Sequence, residues 1–119
     1  MKKFLAVFLG TPASVERSGW NRLDPEKRKE QEAAGMKAWG GWMASHKAAI
    51  VESGGPLGKT KRVAPEGVSD TKNDMAGYVI VQAESHEAAA RMFENHPHFA
   101  IFPGEAVEIM ECLPIPGAH

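Results

Sequence analysis

A single cysteine, Cys112, a single tyrosine, Tyr78, and no surplus of either charge are the scarcities that first narrow this chain. One thiol cannot close an internal disulfide, and neither a CxxC pair nor a Cys/His zinc spacing occurs, so a reducing compartment, the cytosol, is expected. A formal net charge of -1 leaves no basic excess to neutralise a phosphate backbone, which argues against nucleic acid as a partner. Long apolar runs are also missing. Nothing approaches the roughly 18 residues of a membrane helix, so no membrane partner is expected. The apolar run Phe4 to Leu9 behind Lys2-Lys3 falls short of a signal-peptide core of about 7–15 residues, and no small-residue cleavage site follows it. A buried first strand is the expectation.

What is present, 43% hydrophobic and 24% charged residues over 119 positions, suits one compact domain, residues 1–119, burying roughly two-thirds of its unfolded surface. Phe4, Ala6 and Phe8 alternate with Leu5, Val7 and Leu9, so both faces of the first strand are apolar. A loop with Pro12, Gly19 and Trp20 leads to Asp24-Pro25-Glu26: an N-cap, a proline at the first helical position and an acid in the first turn. The helix is expected to run from Pro25 to about Glu52, where Ser53-Gly54-Gly55-Pro56 stops it, with Gly35, Gly40 and Gly41 marking close packing or a bend.

Leu57 to Ala64 follows as a second strand, Pro65 to Ala76 as a polar connection, and Gly77 to Ala83 as a strong strand. Ser85 caps a helix to about Asn95, which His96-Pro97-His98 ends, and Ala106 to Leu113 is the last strand. The order strand, helix, strand, strand, helix, strand predicts an α+β, ferredoxin-like βαββαβ sandwich with helices on one face. Leu5, Val7, Val79 and Val81 would leave the other face apolar and exposed, so a homodimer is predicted.

Gly54-Gly55-Pro56-Leu57-Gly58, Val68-Ser69-Asp70-Thr71-Lys72, the stretch Gly77 to Ser85 and Val107-Glu108-Ile109-Met110 together resemble the YCII-related family, over roughly Met43 to Pro114. The resemblance implies a dimeric α+β barrel of ferredoxin-like subunits. In DGPF-type relatives an Asp-Gly-Pro-Phe segment stands before the third strand. The matching place here is Asp70, without the Gly-Pro-Phe. Small-molecule chemistry using a His and an Asp in a pocket is what the family implies, and it leaves the histidine open.

His46 is the histidine chosen from the residues themselves, because Met36, Trp39, Met43, His46 and Ile50 share one face of the expected helix and His46 projects between Trp39 and Trp42. With Asp70 as its partner it would be an oriented general base; alone, it is a core-edge histidine on a backbone carbonyl. His96 and His98 are candidate substrate-binding residues. A metal at them would need a third ligand such as Glu108, Glu111 or His46, and neither metal nor other cofactor is expected. Trp39, Trp42 and Tyr78 are candidates for an aromatic ligand pocket, with core or dimer packing as the alternative. His86 and His119 are expected in solvent. Gly58-Lys59-Thr60 mimics a phosphate-loop ending, but the spacing from Gly54 is one residue short, so the segment reads as a helix C-cap and turn.

These residues favour a small-molecule enzyme with His46 and Asp70 in a dimer-barrel cleft. The rivals are a non-catalytic ligand-binding or accessory protein and, by analogy of fold, a cofactor-free monooxygenase or isomerase.

Overall fold

The computed structural model describes residues 1–117. β1 (Lys2–Leu9) runs through the middle of the molecule and is followed by α1 (Pro12–Ser18), which Thr11 caps by accepting the Ser14 backbone N–H at 3.0 Å. A helix stands there instead of the expected loop, since Thr11-Pro12 supplies both an N-cap and a first-turn proline. α2 (Pro25–Ser45) starts at the expected residue, with Asp24 accepting the Lys27 N–H at 2.9 Å.

α2 ends seven residues before the expected Glu52. β2 (Ile50–Pro56) begins soon after, and the glycines read as a helix stop lie inside this strand. Gly54 has φ 59, and a Cβ there would run into the Tyr78 carbonyl, so this glycine makes a bulge that lets two backbones approach. Tertiary pairing with the next strand overrides the local stop signal.

β3 (Thr60–Ala64) and β4 (Gly67–Thr71) form a hairpin of their own, closed by the two-residue loop Pro65-Glu66. The expected second strand, Leu57 to Ala64, therefore holds only β3, outside the main sheet; β2 takes the expected place in that sheet, and the expected polar connection holds β4. β5 (Met75–Ala83) returns to the sheet. α3 (His86–Arg91) is capped by Ser85, α4 (Pro97–Ala100) is capped by His96, and β6 (Ala106–Glu111) closes the chain's sheet.

The main sheet has the order β2-β5-β1-β6, every neighbouring pair antiparallel. With the hairpin set aside, this is the ferredoxin-like α+β arrangement: two strand–helix–strand units, each leaving room for one strand of the other. Phe4, Ala6 and Phe8 of β1 share a face with Val79, Val81 and Ala83 of β5, and Trp42, Ala89 and Phe93 from the helical segments cover them. Burying a phenylalanine such as Phe4, which is 0% exposed, contributes roughly 1.5–3 kcal/mol.

Val79 and Val81 therefore face the helices, contrary to the expected placement. Side chains alternate along β5, and the register pairs Val79 with Ala6 and Val81 with Phe4. The opposite face carries Leu5, Val7, Leu9, Ile80 and Met110, with Tyr78, Glu52 and Glu108 among them. Of the three helix glycines, only Gly35 packs closely, against the Phe102 ring; Gly40 and Gly41 have open space before them. No helix among the described residues is long and apolar enough to cross a membrane.

Candidate functional site

Beside the core, α2, β1, β2, β5, α4 and the segment after it line a half-open cavity of about 370 Å³. Phe8, Met36, Trp39, Met43, Val79 and Phe102 make apolar walls, and Gly55, Pro56 and Tyr78 form part of the rim. No lysine or arginine among the described residues lines it. The one imidazole on its wall among the described residues belongs to His98, which is 7% exposed.

His98 is held by main-chain atoms. Its Nε2 lies 2.6 Å from the Leu9 carbonyl oxygen, and because a carbonyl only accepts, Nε2 carries the proton and donates it. Gly104 packs against the same Nε2–Cδ2 edge so closely that a Cβ there would overlap it. Nδ1, at the opposite corner of the ring, makes no hydrogen bond among the described residues. Burial holds the His98 pKa below the usual 6.5, with the Leu9 bond opposing that shift, so the ring is neutral near pH 7 and Nδ1 presents a lone pair.

His96 lies behind this wall at 0% exposure. Its Nδ1 accepts the His98 backbone N–H at 3.0 Å, and its Nε2 is buried without a partner. Burial is the main cause that lowers its pKa to about 4, helped by the nearby His98 and His46. His-Pro-His thus begins a helix, where the expectation had it ending one.

Of the residues expected at the site, Trp39, Tyr78 and His98 meet at the cavity. Trp42 stands in the core, 9% exposed, with Nε1–H donating to the Met92 carbonyl at 2.9 Å. The Tyr78 hydroxyl donates to Glu52 at 2.9 Å on the open sheet face, and that carboxylate raises the phenol's pKa above its ordinary value.

His46 and Asp70 are not partners within the chain. His46 ends α2, stacked on Trp42, and its Nδ1 lies 2.8 Å from the Trp42 carbonyl four residues back, to which it donates. Asp70 stands on the exposed hairpin and is paired with Lys61. His86 is exposed, with Nε2 donating to the Ile109 carbonyl at 2.7 Å, and His119 lies outside the described residues. No cluster of three or more His, Cys, Asp or Glu able to hold a metal occurs among the described residues.

Sequence reasoning missed Phe8, Phe102, Gly104 and the Leu9 carbonyl. Alternation already put Phe8 on a buried face; the others enter the site through tertiary approach and carry no local signal.

Neighbours on one ferredoxin-like sheet, with a mostly apolar cavity against its helical layer, describe an α+β domain. No family model and no curated protein matches the chain. Among solved structures it is similar to 5-chloro-2-hydroxyhydroquinone dehydrochlorinase from Burkholderia phenoliruptrix AC1100, in complex with 2,5-dihydroxybenzoquinone, at 21% identity and a TM-score of 0.48, over 91% of this chain and 90% of that one.

Proposed function

We propose that the chain is a single-domain, cytosolic, homodimeric protein of the YCII-related type, and an enzyme that takes a proton from a neutral, ring-sized small molecule held in the cavity, with His98 as the general base. The observation that carries this reading is the His98 ring: its Nε2–H is fixed on the Leu9 carbonyl, which leaves Nδ1 unbonded on a histidine that lines a mostly apolar cavity. A wall without lysine or arginine disfavours carboxylates and phosphates, whose charge would be buried unpaired. Aromatic walls with few polar side chains, His98 and Ser53 among them, suit a flat ring bearing an ionisable hydroxyl. In the proposed step the substrate O–H bond breaks, its proton moves to His98 Nδ1, and the electron pair stays on the substrate oxygen. An isomerase would return that proton to another atom of the same molecule.

4-Nitrophenol tests the assignment, because its absorbance reports ionisation. Wild-type protein is expected to bind it and raise the phenolate fraction near neutral pH, and His98→Phe, which keeps a ring but no acceptor, is expected to abolish the spectral change. An unchanged signal in a folded His98→Phe variant would refute the assignment. Binding that persists in wild type without any ionisation favours the second reading, a non-catalytic ligand-binding protein, which the scarcity of further titratable groups on the cavity wall supports.

Two surfaces support the homodimer. The sheet face opposite the helices carries Leu5, Leu9, Ile80 and Met110, and the hairpin exposes Val63 and Val68, which are 79% and 71% accessible and directly opposite each other. A two-stranded hairpin is at best marginally stable alone. The radius of gyration, 16.4 Å, exceeds the roughly 13–14 Å of a compact chain of this length, as an outstretched arm requires. Light scattering is expected to give twice the monomer mass at micromolar concentration; a monomer would remove the dimer from the proposal.

A further inference from the structure

We propose that His96 is a positioning residue that holds the His98 ring on the Leu9 carbonyl and sets the cavity wall, an inference that rests on the reading of His98 given above. His96 caps α4 through a ring nitrogen, a place usually filled by Ser, Thr, Asp or Asn. Any of those would satisfy the His98 N–H. Ser or Thr would do so with one hydroxyl, whereas the imidazole leaves a second polar atom, Nε2, buried without a partner among the described residues.

The cost is tolerated, and the ring's surroundings indicate what it accomplishes. His96 stands nearly perpendicular to Trp39 (87°, centroids 4.5 Å apart) and is also packed against Phe8, Trp42 and Phe93 at centroid distances of 5.1, 4.8 and 5.8 Å. Trp39 and Phe8 are themselves cavity walls. One side chain thus touches both aromatic walls and, through its Nδ1, the backbone that carries His98.

The short helix α4 has four residues; its backbone bonds run from Phe99 and Ala100 to the His96 carbonyl and from Ile101 and Phe102 to the Pro97 carbonyl, and none of them takes up the His98 N–H. The N–H···Nδ1 bond from His98 to His96 closes its first turn. With that turn closed, the His98 side chain reaches from α4 to β1 and meets Leu9. Loss of the acceptor leaves the His98 N–H without its partner in that turn, and the His98 ring leaves its carbonyl.

Nitrogen-15 NMR on the intact chain tests this without a substrate. In wild type a through-bond coupling between the His98 amide nitrogen and His96 Nδ1 is expected, together with a slowly exchanging His98 Nε2–H signal. His96→Asn, which retains an acceptor at the cap, is expected to keep the His98 Nε2–H signal. His96→Phe, which retains a ring and no acceptor, is expected to lose it and to weaken 4-nitrophenol binding at least tenfold. Absence of the coupling in wild type overturns the proposal, as does a His98 signal that survives in His96→Phe or vanishes equally in a folded His96→Asn. Absence of the His98 Nε2–H signal from wild type removes the base assignment itself, a failure distinct from the others.

Discussion

Acid should destabilise this protein through His96. In the unfolded chain the imidazole has its ordinary value of 6.5, whereas in the fold it is held at about 4. Between those values the unfolded state binds a proton that the folded state refuses, so stability rises with pH through the window and is level above it. Protonation would place a charge among Phe8, Trp39, Trp42 and Phe93 and remove the lone pair that accepts the His98 N–H. From the two values, lowering the pH from about 7.5 to 5 costs about 2 kcal/mol from His96 alone. His98, whose pKa is also lowered by burial, adds a loss of the same sign. Glu105 behaves differently. Chiefly through the Arg17 hydrogen bond its pKa is depressed, so its contribution is present above the ordinary carboxylate value of 4.5 and fades only as pH falls through its lower folded value. Urea unfolding followed by tryptophan fluorescence at several pH values measures the slope. His96→Phe loses a cap worth roughly 1 kcal/mol at every pH, so the comparison is of slopes, and the variant's should be flatter by about the His96 share. Equal slopes for wild type and His96→Phe would refute the reasoning.

Three further outcomes follow from particular contacts. Gly104→Ala places a Cβ against His98 Nε2 and the His98 carbonyl, so it is expected to cost about 1–3 kcal/mol, measured by thermal unfolding, and to weaken 4-nitrophenol binding more than tenfold by moving the ring off Leu9. Trp42→Phe removes the Nε1–H bond to the Met92 carbonyl and leaves that acceptor buried, with an expected loss of about 1–3 kcal/mol in urea unfolding and no loss of ligand binding, since Trp42 stands behind the cavity wall. Val63→Asp combined with Val68→Asp places like charges opposite each other on the hairpin arm; the expected result in light scattering is a monomer whose core still unfolds cooperatively.

How far the sequence discloses this molecule depends on whether a signal is local. The alternation of β1, the β-rich run of β5 and the caps Asp24 and Ser85 are local, and the structure has strands and helices there. Ser53 to Pro56 is local too, but its glycines serve a helix stop or a sheet bulge equally well, and only pairing with β5 decides between them. A helical face gave His46 its direction and could not name its partner: the Trp42 carbonyl, four residues back, is reached without any tertiary approach, whereas Asp70 sits on a separate hairpin. His98 has the reverse difficulty. Its partner is the Leu9 main chain, eighty-nine residues away, and a carbonyl is present at every position of a sequence. Yet one signal for this corner was legible. Thr11-Pro12, Asp24-Pro25 and His96-Pro97 share one grammar: a side-chain acceptor at the N-cap followed by a proline at the first helical position. Set beside the first two, His-Pro-His is a helix start, and a histidine capping a helix from inside the core has one ring nitrogen committed and its next neighbour's orientation fixed. In the fold it is His98, rather than His46, that lines the cavity.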